Sequence, residues 1–341
     1  MNMPIGKMRH GKRNLITDVP GVLVGHATLD QEKCHTGVTV VMPPRQNPYQ
    51  DKLTAASCVF NGYGKTLGLV QLEELGTLET PIALTNTLNV GRVHDAMAAY
   101  MIRLCRAEGI GLTSVNPVVC ECNDSRISDI AQRPIGEEEV LAAIGSASED
   151  FSQGAVGAGR GTICYGMKGG IGSSSRLMEL DGNTYTMGVL VQSNYGASAD
   201  FRLACLPEGM AASDQGSIIL VAATDLPLSS RQLKRVLRRA SVGMARLGSY
   251  IGHGSGEIAV GFTTVRPSEN GASFQTQTIL KEELMDIPFR AIGECAEEAI
   301  LQSMWHARPD IALDGRIIPS LRELLKKDDA KSAGNEGAGL L

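Results

Sequence analysis

The stretch Asp214-Gln215-Gly216-Ser217-Ile218-Ile219-Leu220-Val221-Ala222-Ala223 sets a Gly-Ser pair directly before a strongly apolar run. All six residues after Ser217 being Ile, Leu, Val or Ala with no polar alternation, the run reads as a strand buried on both faces. A serine hydroxyl is a poor nucleophile unless a base stands beside it. One solution makes the serine the first residue of a chain, so that its own α-amine, titrating near ~7.7–8.0, is the base. That requires the Gly216–Ser217 bond to be cut, and glycine on the acyl side, lacking a Cβ, tolerates the backbone such a step needs. Taken alone, a Gly-Ser pair before a strand is more often an ordinary turn.

Outward from this run, further short apolar segments read as strands: Val22–Val24, Val38–Met42, Pro81–Leu84, Thr186–Val191 and Glu257–Thr264. Helical periodicity lies between them. Val93, Met97, Tyr100, Met101 and Leu104 share a stripe over 91–107, closed by Gly109. Residues 229–247 read as one helix whose polar face, Arg231, Lys234, Arg235, Arg238 and Arg239, is most simply solvated. A third helix is expected over 288–306, and a short one over 320–327. Strands and helices are mixed without strict alternation, which fits stacked sheet and helix layers better than βαβ winding. No Pro- or Ser-rich linker divides the chain, so one compact domain over 1–327 is expected, with a flexible tail over 328–341. The Gly-rich stretch 154–176 has neither a GxGxxG nor a Walker A spacing, so turns and close packing are expected there.

Composition narrows the function. The 341 residues carry 32 Lys plus Arg against 37 Asp plus Glu, a net charge of −5 with no basic run, so neither nucleic acid nor an anionic membrane is an expected partner. No apolar run approaches membrane-spanning length and no signal peptide is visible, so a cytoplasmic location is expected. Eight scattered cysteines suit buried core positions in a reducing compartment; the Cys120-x-Cys122 pair is expected to point apart along its strand. With no HExxH and no CxxC, neither a metal nor another cofactor is expected.

Conventional nucleophile signals are missing: Ser255 fails a GxSxG elbow because position 253 is His. Three other places could serve Ser217. In Ser255-Gly256-Glu257 a two-residue strand spacing would put hydroxyl and carboxylate on one side, although on local sequence an exposed turn is the more usual reading. Glu121 follows the apolar run Val118-Val119-Cys120, as a solvated edge or as a site residue. Asn194, in Gln192-Ser193-Asn194-Tyr195-Gly196, could cap a turn or donate to an oxyanion.

Fragments in a fixed order raise the odds of chemistry. Thr17-Asp18-Val19-Pro20-Gly21-Val22, Phe60-Asn61-Gly62-Tyr63-Gly64-Lys65, Glu74-Leu75-Gly76, Thr85-Asn86-Thr87, Lys168-Gly169-Gly170-Ile171-Gly172, Asn194-Tyr195-Gly196, Gly216-Ser217 and Ser255-Gly256-Glu257 resemble the L-aminopeptidase/D-esterase family, which includes the β-peptidyl aminopeptidases. The resemblance spans about residues 14–310. It implies a four-layer αββα sandwich, like the N-terminal-nucleophile hydrolases but connected differently. It implies self-cleavage at Gly216–Ser217 into chains 1–216 and 217–341 that stay associated, with Ser217 as nucleophile. By the same match Ser255 hydrogen-bonds near the nucleophile, Glu257 holds the proton network and the new amine, Asn194 stabilises the oxyanion, and Glu121 binds the substrate ammonium. The implied activity is hydrolysis of N-terminal amides, peptides or esters, with β-peptides and D-aminoacyl substrates within the family's range, and the implied assembly is a homo-oligomer, usually a tetramer. One departure stands out: where the family has Glu-Thr-Tyr, this chain reads Glu121-Cys122-Asn123, so the acyl site loses a tyrosine and substrate preference is open. Two rival readings are acyl transfer to an amine acceptor, as in the ornithine acetyltransferases that share the fold, and a non-catalytic binding protein. Ser217 where those transferases use threonine argues against the first, and joint retention of the site residues against the second.

Overall fold

The apolar run that opens at Ser217 is an interior strand of a six-stranded sheet, and its two faces feed two different cores. Ile218, Leu220 and Ala222 pack toward helices, whereas Ile219, Val221 and Ala223 pack toward a second sheet. A strand covered on both sides carries no polar alternation. The structure, a computed structural model, describes residues 5–44, 46–203, 215–270 and 273–326. Asp214, Cys205 and the segment 328–341 lie outside the described residues.

In chain order the strands and helices are β1 (Leu23–Gln31), β2 (Cys34–Met42), β3 (Leu53–Gly62), α1 (Leu69–Leu75), β4 (Thr77–Leu78), β5 (Ile82–Asn86), α2 (Val90–Ala107), β6 (Val118–Cys122) and α3 (Glu137–Gly145). There follow β7 (Ile163–Cys164), β8 (Met167–Lys168), β9 (Gly170–Leu180), β10 (Asn183–Asn194), β11 (Gln215–Thr224), α4 (Ser230–Leu237), α5 (Ala240–Arg246) and β12 (Gly254–Thr263). A hairpin of β13 (Ser268–Asn270) and β14 (Phe274–Thr276), then α6 (Asp286–Trp305) and a hairpin of β15 (Asp310–Ile311) and β16 (Ile317–Ile318), complete the named elements.

One sheet runs β1-β2-β5-β6 and the other β4-β3-β12-β11-β10-β9. They face each other across a core of Val41, Leu84, Cys120, Cys122, Leu190, Ile219, Val221 and Ile258. Helices α2 and α3 cover the outside of the first sheet through Val93, Met97, Val140 and Ala143. Helices α4 and α6 cover the outside of the second through Leu233, Val236, Ile292, Ala296 and Ile300, and α5 packs against α6, where Gly243 meets Ala296. The architecture is therefore helix, sheet, sheet, helix, the four-layer sandwich expected. Among the described residues no helix is long and apolar enough to cross a membrane.

Four local expectations change. The helix expected over 229–247 is two, α4 and α5, because a tight turn with Arg239 N donating to the Val236 carbonyl at 2.8 Å redirects the chain. Its basic face is not simply solvated: Arg239 stacks 4.0 Å over the Phe289 ring, and Arg231, Lys234 and Arg235 pair with Glu282 and Glu73. The Gly-rich stretch does turn at Gly157–Gly159, but it also begins β9, a long buried strand. Cys120 and Cys122 lie in the same inter-sheet core rather than apart, as the two-residue period of a strand requires. With them, the other five described cysteines are free and buried.

Candidate active site

Strand ends from both sheets converge on residue 217. In register, Ser217 stands opposite Asn194 of the antiparallel neighbour β10 and opposite Gly256 of the parallel neighbour β12. Gly216 stands opposite Ser255. Ser217 is buried, and its hydroxyl donates to the carbonyl oxygen of Gly216 at 2.6 Å, the bond whose scission the sequence suggests. Gly216 holds φ at +144°, and a Cβ there would lie 1.9 Å from the Asn194 carbonyl oxygen. Only glycine fits this backbone, and it holds the scissile carbonyl against the hydroxyl.

Asn194 is clamped at both ends of its amide. Its Oδ1 accepts the Ile163 N–H at 2.9 Å, and its Nδ2 donates to the Asn123 carbonyl at 2.8 Å. One Nδ2 proton remains for a further acceptor. From the facing sheet, the Cys122 thiol donates to the Ser217 and Gln192 carbonyls, each at 3.4 Å. Burial, with the Glu121 carboxylate adding to it, pushes that thiol well above its ordinary pKa, so it stays a neutral donor.

Glu121 is not a solvated edge; it is 1 % exposed. One carboxylate oxygen accepts the Lys65 backbone N–H at 2.8 Å and the other accepts the Thr87 hydroxyl. The segment carrying Lys65 comes this close because Gly256 has no side chain: a Cβ there would sit 3.0 Å from the Gly64 nitrogen and the Tyr63 carbonyl. Lys65, Thr87, Asn123, Asn194, Gly216 and Ser217 all line one cavity of about 360 Å³. Asn123 contributes differently from a tyrosine, since its Oδ1 is taken up by the Ser125 N–H at 3.0 Å.

Ser255 and Glu257 are fully buried strand residues, not an exposed turn. They alternate with Ala259 of the helix-side core, whereas Ser217 alternates with Ile219 and Val221 of the inter-sheet core. The two therefore flank residue 217 from the opposite face of the sheet. With the 216–217 bond intact, the Ser255 hydroxyl makes no hydrogen bond among the described residues, so the contact to the nucleophile expected from the resemblance is not made. Sequence reasoning assigned no role to Thr87, Ile163, Arg126 or the Lys65 N–H; the motifs at 60–65 and 85–87 were the visible signal for two of them.

Residues 14–318 match peptidase family S58. The chain belongs to this family. As a member of a peptidase family it is a hydrolase. Over 327 aligned positions it is 34% identical to β-peptidyl aminopeptidase BapA of Sphingosinicella xenopeptidilytica, covering 86% of this chain and 81% of that one. The enzyme of the same name from Sphingosinicella microcystinivorans is 35% identical, with 93% and 89% covered. Among solved structures, a Burkholderia sp. β-aminopeptidase superposes with a TM-score of 0.85 at 35% identity, covering 95% of this chain and 96% of that one. The L-aminopeptidase D-Ala-esterase/amidase of Ochrobactrum anthropi, described as a prototype serine aminopeptidase with a variant of the Ntn hydrolase fold, superposes with a TM-score of 0.84 at 31% identity and the same coverage.

Proposed function

We propose that this S58 member is a self-processing serine aminopeptidase. The observation that carries the reading is the Ser217 hydroxyl resting 2.6 Å from the Gly216 carbonyl oxygen, beside the clamped Asn194 amide. In maturation the Ser217 oxygen attacks the Gly216 carbonyl carbon, the amide becomes an ester, and the nitrogen leaves as the Ser217 amine. Water then hydrolyses the ester and frees residue 216 as a carboxylate. The amine lies in the plane of the sheet, between the face of the hydroxyl and the face holding Ser255 and Glu257. From there Ser255 and Glu257 can hold it while it takes the hydroxyl proton.

In turnover the Ser217 hydroxyl attacks an N-terminal amide or ester, the free Nδ2 proton of Asn194 meets the developing oxyanion, and water releases the acyl group. Glu121 receives the substrate ammonium, a charge-assisted contact that a blocked peptide cannot make. The substrate class is N-terminal residues with a free amine, and similarity to β-peptidyl aminopeptidases supports β-amino acids as members of it.

Denaturing electrophoresis with an aminoacyl-p-nitroanilide panel tests this. The wild type should give two fragments, of 216 and 341 − 216 = 125 residues, and Ser217→Ala one full-length band without activity. N-acetylated substrates should be inert. An intact wild type that hydrolyses the panel refutes the scheme, and turnover requiring an added amino-acid acceptor assigns the chain to acyl transfer instead.

A further inference from the structure

The charges around the cavity are arranged as a pair, negative within and positive at the rim. Glu121 lies beneath the lining, bound to Lys65 and Thr87. Among the described residues the lining contains no carboxylate and two cations, Lys65 and Arg126. The Lys65 ammonium is engaged, donating to the Tyr63 carbonyl at 3.2 Å and lying 4.6 Å over the Tyr63 ring. Arg126 is exposed, and among the described residues no ion pair or hydrogen bond engages its guanidinium.

The backbone beneath Arg126 is nevertheless held firmly. β6 ends at Cys122, and Asn123 turns the chain by accepting the Ser125 N–H on its own side chain. Ile127 N and Ser128 N both donate to the Asp124 carbonyl, at 3.0 and 2.9 Å. The Arg126 carbonyl accepts the Leu313 N–H at 2.9 Å from the β15–β16 hairpin. Ile127 is fully buried and packs with Ile163, Ala312 and Ile318. The residue that departs from the family pattern, Asn123, thus builds the turn that displays Arg126. A guanidinium on a fixed backbone with no partner among the described residues, lining the cavity that contains the nucleophile, is a receptor for a planar anion.

We infer that Arg126 is a specificity-determining residue that selects substrates bearing a carboxylate as well as the free amine. The carboxylate is the C-terminus of a dipeptide, whose end lies just past the scissile bond, or an acidic side chain. This rests on the aminopeptidase reading, with the ammonium at Glu121 and the carboxylate at Arg126 bracketing the attacked carbonyl.

The test compares kcat/KM for two substrate pairs in the wild type, Arg126→Gln and Arg126→Lys. One pair is a dipeptide and its C-terminal amide; the other is aspartyl- and alanyl-p-nitroanilide. In Arg126→Gln the acid-over-amide ratio should fall about two- to fivefold, mainly through KM, as for one largely exposed ion pair, and Arg126→Lys should keep part of it. A fall in the dipeptide pair names the C-terminus as the source, and a fall in the aspartyl pair names the side chain. Unchanged ratios for both pairs in an active enzyme overturn this inference alone. A wild type that cleaves none of the four substrates overturns the aminopeptidase reading, and this inference with it.

Discussion

Gly216→Ala is the sharpest perturbation of the maturation site, because the structure sets its size. Alanine would have to hold φ at +144°, a region that costs about 1–3 kcal/mol for a residue with a Cβ. Its Cβ would also lie 1.9 Å from the Asn194 carbonyl oxygen, 3.0 Å from that carbonyl carbon and 3.3 Å from the Asn194 Nδ2. A carbon–oxygen contact needs well over 3 Å, so something must move by more than 1 Å. Strand β11 cannot slide, because residues 217–224 are paired on one side with β10 and on the other with β12. The relief is rotation at residue 216, which swings its carbonyl away from the Ser217 hydroxyl. A misplacement of about 1 Å costs roughly 10²-fold in rate. Adding about 2 kcal/mol of backbone strain, roughly 30-fold more, gives self-cleavage slowed by about 10³- to 10⁴-fold. The assay is a time course of band conversion on denaturing gels, with thermal unfolding in parallel. The same strain should lower the unfolding midpoint by only a few degrees, because a chain of this size has a large unfolding entropy. Cleavage of Gly216→Ala at the wild-type rate, in a protein with an unchanged midpoint, would refute the argument that glycine is required by the carbonyl placement.

Two further outcomes follow from the geometry. Asn194→Ala in processed enzyme should lower kcat about 10²- to 10³-fold with little change in KM, the size expected for losing one oxyanion donor; equal effects on both constants would mean general loosening instead. Lys168 is fully buried, donating to the carbonyls of Gly159, Thr162 and Gly169, and burial, partly opposed by Asp310, pulls its pKa down to about 7. Between pH 7 and 10.5 the unfolded chain alone holds that proton, so stability should rise with pH across this window and be lowest below it. The rise is at most on the order of 5 kcal/mol; denaturant unfolding at pH 7 and pH 9.5 should show it in the wild type and not in Lys168→Met.

Much of this was legible in the chain itself. The run 217–223 announced a strand buried on both faces because no polar residue interrupts it. The stripe in 91–107 gave α2 within a residue of its start. β9 was hidden, because Gly170-Ile171-Gly172-Ser173-Ser174-Ser175-Arg176 looks like a loop. It is a buried strand only because each polar side chain finds a distant partner: Ser173 the Val189 carbonyl, Ser174 the Cys295 carbonyl, Ser175 the Asp18 carboxylate, and Arg176 both Glu294 and Glu298.

The same division runs through the site. Residue types and local order were enough to nominate Ser217, Asn194, Ser255, Glu257 and Glu121, because chemistry depends on which groups are present and apolar runs say which segments are buried. Which face of the sheet each group occupies, whether Glu121 is solvated or held by Lys65 and Thr87, and the open guanidinium of Arg126 depend on pairings between segments tens to more than a hundred residues apart. Those pairings are settled by register and by the stacking of two sheets, which no local pattern encodes.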